Sequence, residues 1–219
     1  MAAKTTKTDA KFIILGSADV GKTCLLQRYL TGQFAETVAS IGASLALKKW
    51  NNFNIAFWDT AGEERYATLS SFYCRAASVA VLAFDITNRE SFIKLTEVFI
   101  PMLEEASGTC LTFVVGTKAD LATRRQVKSE EGATLAAAQH EKQKSRALAQ
   151  DPNSYLQYVN GKQLYFETSA KEDTGVTELF DAIQKLVLSQ LEKKLPQKTK
   201  DSVVRVESTD GERKSCCSH

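Results

Sequence analysis

Gly16-Ser17-Ala18-Asp19-Val20-Gly21-Lys22-Thr23 follows directly on an apolar run at residues 12–15 and leads into a segment with helical periodicity. Strand, glycine-bounded turn and helix in that order, with the spacing G-x-x-x-x-G-K-[ST], spell a phosphate-binding loop. The glycines let the backbone curl so that successive N–H groups and the following helix N-terminus face phosphate oxygens. Lys22 adds a cation at the terminal phosphates, and the Thr23 hydroxyl offers an oxygen ligand to Mg²⁺. The plainer reading, a glycine turn with a solvated lysine, is disfavoured by the flanking elements. Alone, the motif does not choose between adenine and guanine nucleotides.

Working outward, strand-like apolar runs recur at residues 55–58, 79–84, 111–115 and 164–166, separated by segments of helical periodicity. A further strand is predicted over residues 43–50, turning at Asn51 and Asn52 into the next as an antiparallel edge hairpin. The alternation predicts an α/β fold: a mostly parallel six-stranded sheet with one antiparallel edge strand and helices on both faces. The last helix is the clearest, with Val176, Leu179, Phe180, Ile183, Leu186 and Val187 on one stripe and Asp173 and Thr174 as capping candidates. Residues 139–160 are polar and contain Asp151-Pro152, so they are read as an extension of the helix at 129–138 followed by a surface loop. One domain is expected over residues 10–195, between a flexible N-terminus at 1–9 and a flexible tail at 196–219 too poor in apolar residues to build a core.

Of 219 residues, 43% are hydrophobic and 25% charged, enough for one well-buried domain. The 28 basic and 26 acidic residues are spread along the chain, leaving a net charge of +2 and no footprint for nucleic acid. No secretion signal or membrane-spanning run is visible, so a cytosolic protein is expected unless lipid is attached. Cys24, Cys74 and Cys110 stand singly in or beside apolar stretches, which predicts reduced thiols rather than disulfides or zinc ligands.

Three further motifs carry chemistry. Asp59-Thr60-Ala61-Gly62 ends a predicted strand with a carboxylate that can hold Mg²⁺ through water, and Gly62 lets a backbone N–H approach a γ-phosphate. Thr117-Lys118-Ala119-Asp120 sets a carboxylate where it can accept from the N1 and N2 edge of guanine, donors that adenine lacks. Glu167-Thr168-Ser169-Ala170-Lys171 offers the Ala170 N–H to guanine O6, with Lys171 supporting the loop.

In this order and spacing the four motifs resemble the Ras-like small GTPases over nearly all of residues 10–195. Within that group the chain is similar to the Rab branch. The signs are Ser40-Ile41-Gly42, Trp58 to Tyr66 (WDTAGEERY), Phe72-Tyr73-Cys74-Arg75-Ala76, Phe84-Asp85-Ile86-Thr87-Asn88 and the terminal Cys-Cys-x-x. The resemblance implies a GTP/GDP switch with Mg²⁺, whose mobile segments near 34–42 and 62–73 order around the γ-phosphate. It implies nucleotide contacts from Ser17, Ala18, Asp19, Val20, Gly21, Lys22, Thr23, Cys24, Phe34, Ser40, Gly62, Thr117, Lys118, Asp120, Leu121, Ser169, Ala170 and Lys171. Phe34 would stack on the base. Thr23, Ser40 and Asp59 would serve the metal, and Lys22, Gly62 and Glu63 hydrolysis. Effectors, exchange factor, activating protein and GDP-dissociation inhibitor would bind residues 34–76 of a monomer. The implied location is the cytoplasmic face of an endosomal, phagosomal or Golgi membrane, with a cytosolic pool.

Several positions depart from the family pattern. Glu63 stands where the family has a water-orienting glutamine; an ionised carboxylate cannot donate to the transition state and adds negative charge, so slow hydrolysis is expected. Ala18 stands close to where an incoming arginine finger would pass. Ser40 replaces a threonine, keeping the hydroxyl but losing a methyl that restrains χ1. Thr117 replaces the common asparagine, as in the Rho branch, and the hairpin from Gly42 to Trp58 is shorter than in most Rab proteins. The end, Ser215-Cys216-Cys217-Ser218-His219, is similar to termini that a Rab-type prenyl transferase modifies with geranylgeranyl chains at Cys216 and Cys217. Two chains convert marginal membrane attachment into a stable one. Glu63 and Ala18 also raise a rival reading, a GTP-loaded interaction module that barely hydrolyses. A P-loop ATPase or small-molecule kinase would leave Asp120 and the 169–171 loop without a role.

Overall fold

The computed structural model describes residues 7–35, 42–62, 67–107, 110–152 and 154–194. Strand β1 (Ala10–Leu15) lies at the centre, and helix α1 (Lys22–Thr31) follows it. Next come β2 (Ala43–Trp50), β3 (Phe53–Thr60), α2 (Ala67–Cys74) and β4 (Val79–Asp85). Helices α3 (Arg89–Lys94) and α4 (Ile100–Ala106) are joined through a π turn at Leu95–Phe99. Pro101 explains the wide turn: it has no N–H for the regular bond, and the preceding Ile100 N–H reaches back to Leu95. Strand β5 (Leu111–Thr117), α5 (Ser129–Gln150), β6 (Tyr165–Glu167) and α6 (Val176–Lys194) complete the order.

The six strands lie in the order β2-β3-β1-β4-β5-β6, and only β2 runs antiparallel to its neighbour. All seven residues of β4 and of β5 are buried, so neither face of the central sheet meets water. The edge strand β2 instead alternates and exposes much of one side. The predicted sheet, with its antiparallel edge hairpin, is the one observed; Asn51 takes the turn with φ +51°. An aromatic cluster fastens α1 and α6 to the sheet: Tyr29 stacks on Phe180 at 3.7 Å, and Phe12 and Trp50 pack on Phe57. The Trp50 indole donates to the Tyr29 hydroxyl at 2.7 Å.

Two local expectations differ. Gly175, rather than Asp173 or Thr174, stands at the start of α6: its carbonyl accepts from Leu179 N at 3.2 Å. Its φ is +69°, and a Cβ would lie 2.1 Å from the Glu167 carbonyl, so only glycine fits. The polar 139–160 stretch is also less superficial than its composition suggests. Helix α5 runs to Gln150, and Gln139, His140, Gln143 and Ser154 are buried together with Ala147 and Leu156. The Gln143 amide donates to the Thr112 hydroxyl on β5, one reason a glutamine is tolerated inside. Cys74 and Cys110 are free and buried, and burial pushes their thiols up to about 12 and about 11, leaving them unreactive. Among the described residues no helix is long and apolar enough to cross a membrane. The terminal segments 1–6 and 195–219, with Cys216 and Cys217, lie outside the described residues.

Candidate functional site

The chain leaves β1 toward β3 on one side and β4 on the other, so a crevice opens beyond the carboxyl ends of these parallel strands. The phosphate loop, Asp59 to Gly62, Thr117 to Asp120 and Glu167 to Lys171 all come to this edge. The phosphate loop turns out of β1 at Gly16, whose φ is +148° and where a Cβ would sit 2.1 Å from the Ala83 carbonyl. Asp19 and Gly21 also take positive φ, and Gly21 hands the chain into α1. The backbone of residues 16–21 is thereby bent into a cradle at a helix N-terminus. Lys22, only 5% exposed, folds back over it and donates from Nζ to the Gly16 carbonyl at 2.9 Å and the Ser17 carbonyl at 2.8 Å. Burial lowers its ammonium to about 8, against the pull of Asp59 and Asp19. Such a cation gains from a phosphate that replaces neutral carbonyls.

Asp59, 2% exposed at the end of β3, accepts at Oδ2 from the Thr23 hydroxyl at 2.7 Å. A buried carboxylate and a hydroxyl on the first turn of the loop's helix are hard oxygen donors beside a phosphate cradle, a set that fits Mg²⁺. Gly62 approaches still closer. A Cβ on it would lie 2.3 Å from Ala18 N and 2.4 Å from the Ser17 carbonyl carbon and oxygen, so its backbone rests on the loop.

The other end of the crevice is built from β5 and β6. The Thr117 hydroxyl lies 2.5 Å from the Val20 carbonyl and 2.8 Å from that of Phe84, tying the phosphate loop to β4 and β5. Lys118 stands in the left-handed conformation and pairs with Asp85 at 2.8 Å. Asp120 opens a 3₁₀ turn, with Leu121 half-buried beside it, and accepts from the Ser169 hydroxyl at 2.6 Å. The Ala119 N–H donates to the Thr168 carbonyl, so the two loops also join through their backbones. A carboxylate with a free edge beside a short loop of N–H groups is suited to a planar base with adjacent donors and an acceptor.

Below that loop, Glu167 receives Arg125 through two bonds of 2.7 Å and accepts from Ser129 and Tyr165 at 2.6 Å. Burial opposes its charge, but these donors prevail and hold the carboxyl down at about 2.

Phe34 follows α1 and is 40% exposed; Cys24 places Sγ 3.9 Å from the Ala35 carbonyl of the same segment. Ser40 and Glu63 fall outside the described residues. Sequence reasoning missed Arg28. Its Nε donates to the Ala170 carbonyl at 2.7 Å, while its two Nη atoms reach the Gly32 carbonyl at 2.7 Å and the Lys171 carbonyl at 3.1 Å. The signal available was a basic residue four positions before Gly32, in the last turn of α1; its reach across 142 residues of sequence was not legible.

With the site assembled, comparisons with known proteins bear on it directly. The Ras family profile matches residues 11–189. Ras-related protein Rab-20 of Mus musculus is 32% identical, covering 96% of this chain and 99% of the relative. Its Homo sapiens counterpart is 34% identical over 84% of this chain and 87% of its own. Ras-related protein Rab-24 of Dictyostelium discoideum is also 34% identical, over 81% and 80%.

Proposed function

Because the chain belongs to the Ras family and is a Rab-like small GTPase that hydrolyses GTP to GDP, we propose that it is a membrane-trafficking switch with slow intrinsic hydrolysis. The observation that carries the site assignment is convergence: Thr23 meets Asp59, and Asp120 meets Ser169, at one edge of the sheet. The phosphates lie in the 16–23 cradle, and guanine lies between Asp120 and the Ala170 N–H. Asp120 accepts from N1 and N2, which selects guanine over adenine.

In hydrolysis Lys22 and the loop N–H groups stabilise the charge that develops on the β and γ phosphates. Water attacks the γ phosphorus near Gly62 and residue 63, and no covalent enzyme intermediate forms. Mg²⁺ supplies further charge neutralisation on those phosphates when bound, and Thr23, Asp59 and Ser40 would hold it. Glu63 slows the step because an ionised carboxylate accepts from water but donates nothing to the transition state.

The exposed large hydrophobic residues of the described structure are Phe34, Leu45, Leu47 and Phe72, and all four fall within residues 34–76. Exposed apolar side chains gathered in this stretch favour it as the surface that effectors and regulators read. Cys216 and Cys217 carry geranylgeranyl groups that hold the switch on an endosomal or related membrane; mass spectrometry of protein from prenylating cells tests this.

The first experiment measures what nucleotide elutes on denaturation and how fast bound GTP is converted, in the wild type and Glu63→Gln. Bound GDP, slow conversion and at least about tenfold faster conversion in Glu63→Gln are expected. GTP retained for many hours by both proteins, with no response to activating proteins, makes the chain a GTP-loaded interaction module instead. Adenine nucleotide on denaturation removes the role given to Asp120.

A further inference from the structure

We propose that Arg28 is a positioning residue for guanine recognition, acting through the loop that carries Ala170 and not by touching the nucleotide. The proposal rests on the reading that the Ala170 N–H meets guanine O6.

Arg28 lies in the last turn of α1, and its side chain is 14% exposed. A guanidinium carries five N–H donors in a fixed plane, and here they are spread over two separate segments. One edge holds the consecutive carbonyls of Ala170 and Lys171. The remaining Nη donates to the carbonyl of Gly32, the first residue after α1 and two before Phe34. Asp173, at 4.0 Å and largely in water, adds little.

Among the described residues the loop has one other side-chain tether on the site side, Ser169, which donates to Asp120 and accepts from Glu172 N. Ser169 fixes the start of the loop; the peptides that begin with the Ala170 and Lys171 carbonyls are fixed by Arg28. The Ala170 N–H shares a peptide plane with the Ser169 carbonyl, which accepts from Thr174 N at 3.2 Å, and Arg28 holds the next plane through the Ala170 carbonyl. With the planes on both sides of its Cα held, φ and ψ at Ala170 are set, and with them the direction of the N–H. Charge-assisted bonds from a preorganised fork hold such a loop more firmly than solvent does. Lysine cannot replace it, because one ammonium at the end of a flexible stem does not span three carbonyls on two segments.

The test compares ligands within each protein. Affinities for GDP, inosine diphosphate and 2-aminopurine riboside diphosphate are measured for wild type, Arg28→Lys and Arg28→Gln. The first two ligands keep O6 and the third lacks it. Both substitutions are expected to weaken GDP and inosine diphosphate by about tenfold or more, and to change the 2-aminopurine analogue by less than about threefold. Loss of fold would weaken all three ligands alike, so an equal factor across them overturns the proposal, as does unchanged GDP binding. If the wild type itself binds GDP and the 2-aminopurine analogue equally well, the O6 contact of Ala170 is wrong and the proposal falls with it.

Discussion

The Ser169 hydroxyl donates to the Asp120 carboxylate at 2.6 Å, joining two loops that are 49 residues apart in sequence. One carboxylate oxygen is thus held from the side, and the carboxylate plane is set before any base arrives. Ser169→Ala removes that donor and leaves Asp120 to rotate. GDP affinity is expected to fall about tenfold, read by competition titration, with the Mg²⁺ dependence of nucleotide retention unchanged. An unchanged GDP affinity would mean that backbone contacts alone orient Asp120.

Gly62 does not need a positive φ; it is glycine because of what lies against it. The three atoms nearest an added Cβ are backbone atoms of Ser17 and Ala18, none of which can swing aside as a side chain could. Gly62→Ala must push the segment off the phosphate loop by about an ångström. Single-turnover GTP hydrolysis should fall about a hundredfold on that displacement, whereas Ala61→Gly, one residue earlier, should change it little.

Lys22 gives nucleotide binding a pH dependence of defined sign. In the protein without nucleotide its ammonium sits at about 8, lowered by burial. Phosphate oxygens hold it charged well above that. Between pH 8 and 9 the complex therefore keeps a proton that the free protein is losing, and affinity for GDP should fall with a slope approaching tenfold per pH unit. Below about pH 8 both forms are charged and the slope vanishes. Lys22→Arg, charged throughout, should bind weakly but without that slope.

The phosphate loop, the strand-ending Asp59 and the base loops were legible because each is a local pattern: a motif directly after an apolar run. The mostly parallel sheet followed from the alternation of strand-like and helical segments, and its antiparallel edge from one Asn-Asn hairpin. What was not legible is long-range. Arg28 on α1 binds carbonyls of residues 170 and 171, and no spacing rule encodes that pairing. Thr117 illustrates the same limit: its hydroxyl acts on the Val20 carbonyl, 97 residues away. The 139–160 stretch misled by composition, since glutamine and histidine count as polar although Gln143 is buried on Thr112. At α6 the choice of Gly175 over Asp173 or Thr174 turned on a contact with Glu167, invisible to a capping rule.

Glu167 supplies an acid-sensitive element beneath the base loop. Its carboxyl is ordinarily near 4.5 and is held at about 2 in the fold by Arg125, Ser129 and Tyr165, against the cost of burial. A depressed folded value means that the carboxylate stabilises the protein fully above about pH 4.5 and loses that stabilisation as pH falls toward 2. Allowing for its partial exposure, the contribution is about 1–2 kcal/mol. Glu167→Gln should be less stable than wild type by about that amount at pH 6, measured from urea midpoints. The gap should narrow steadily below about pH 4.5 and close near pH 2, where wild type carries a neutral acid at the same place. A gap that stays constant from pH 6 to pH 3 would assign the effect to packing around Tyr165, whose ring lies 2.2 Å from where a Cβ on Gly132 would stand, and not to charge.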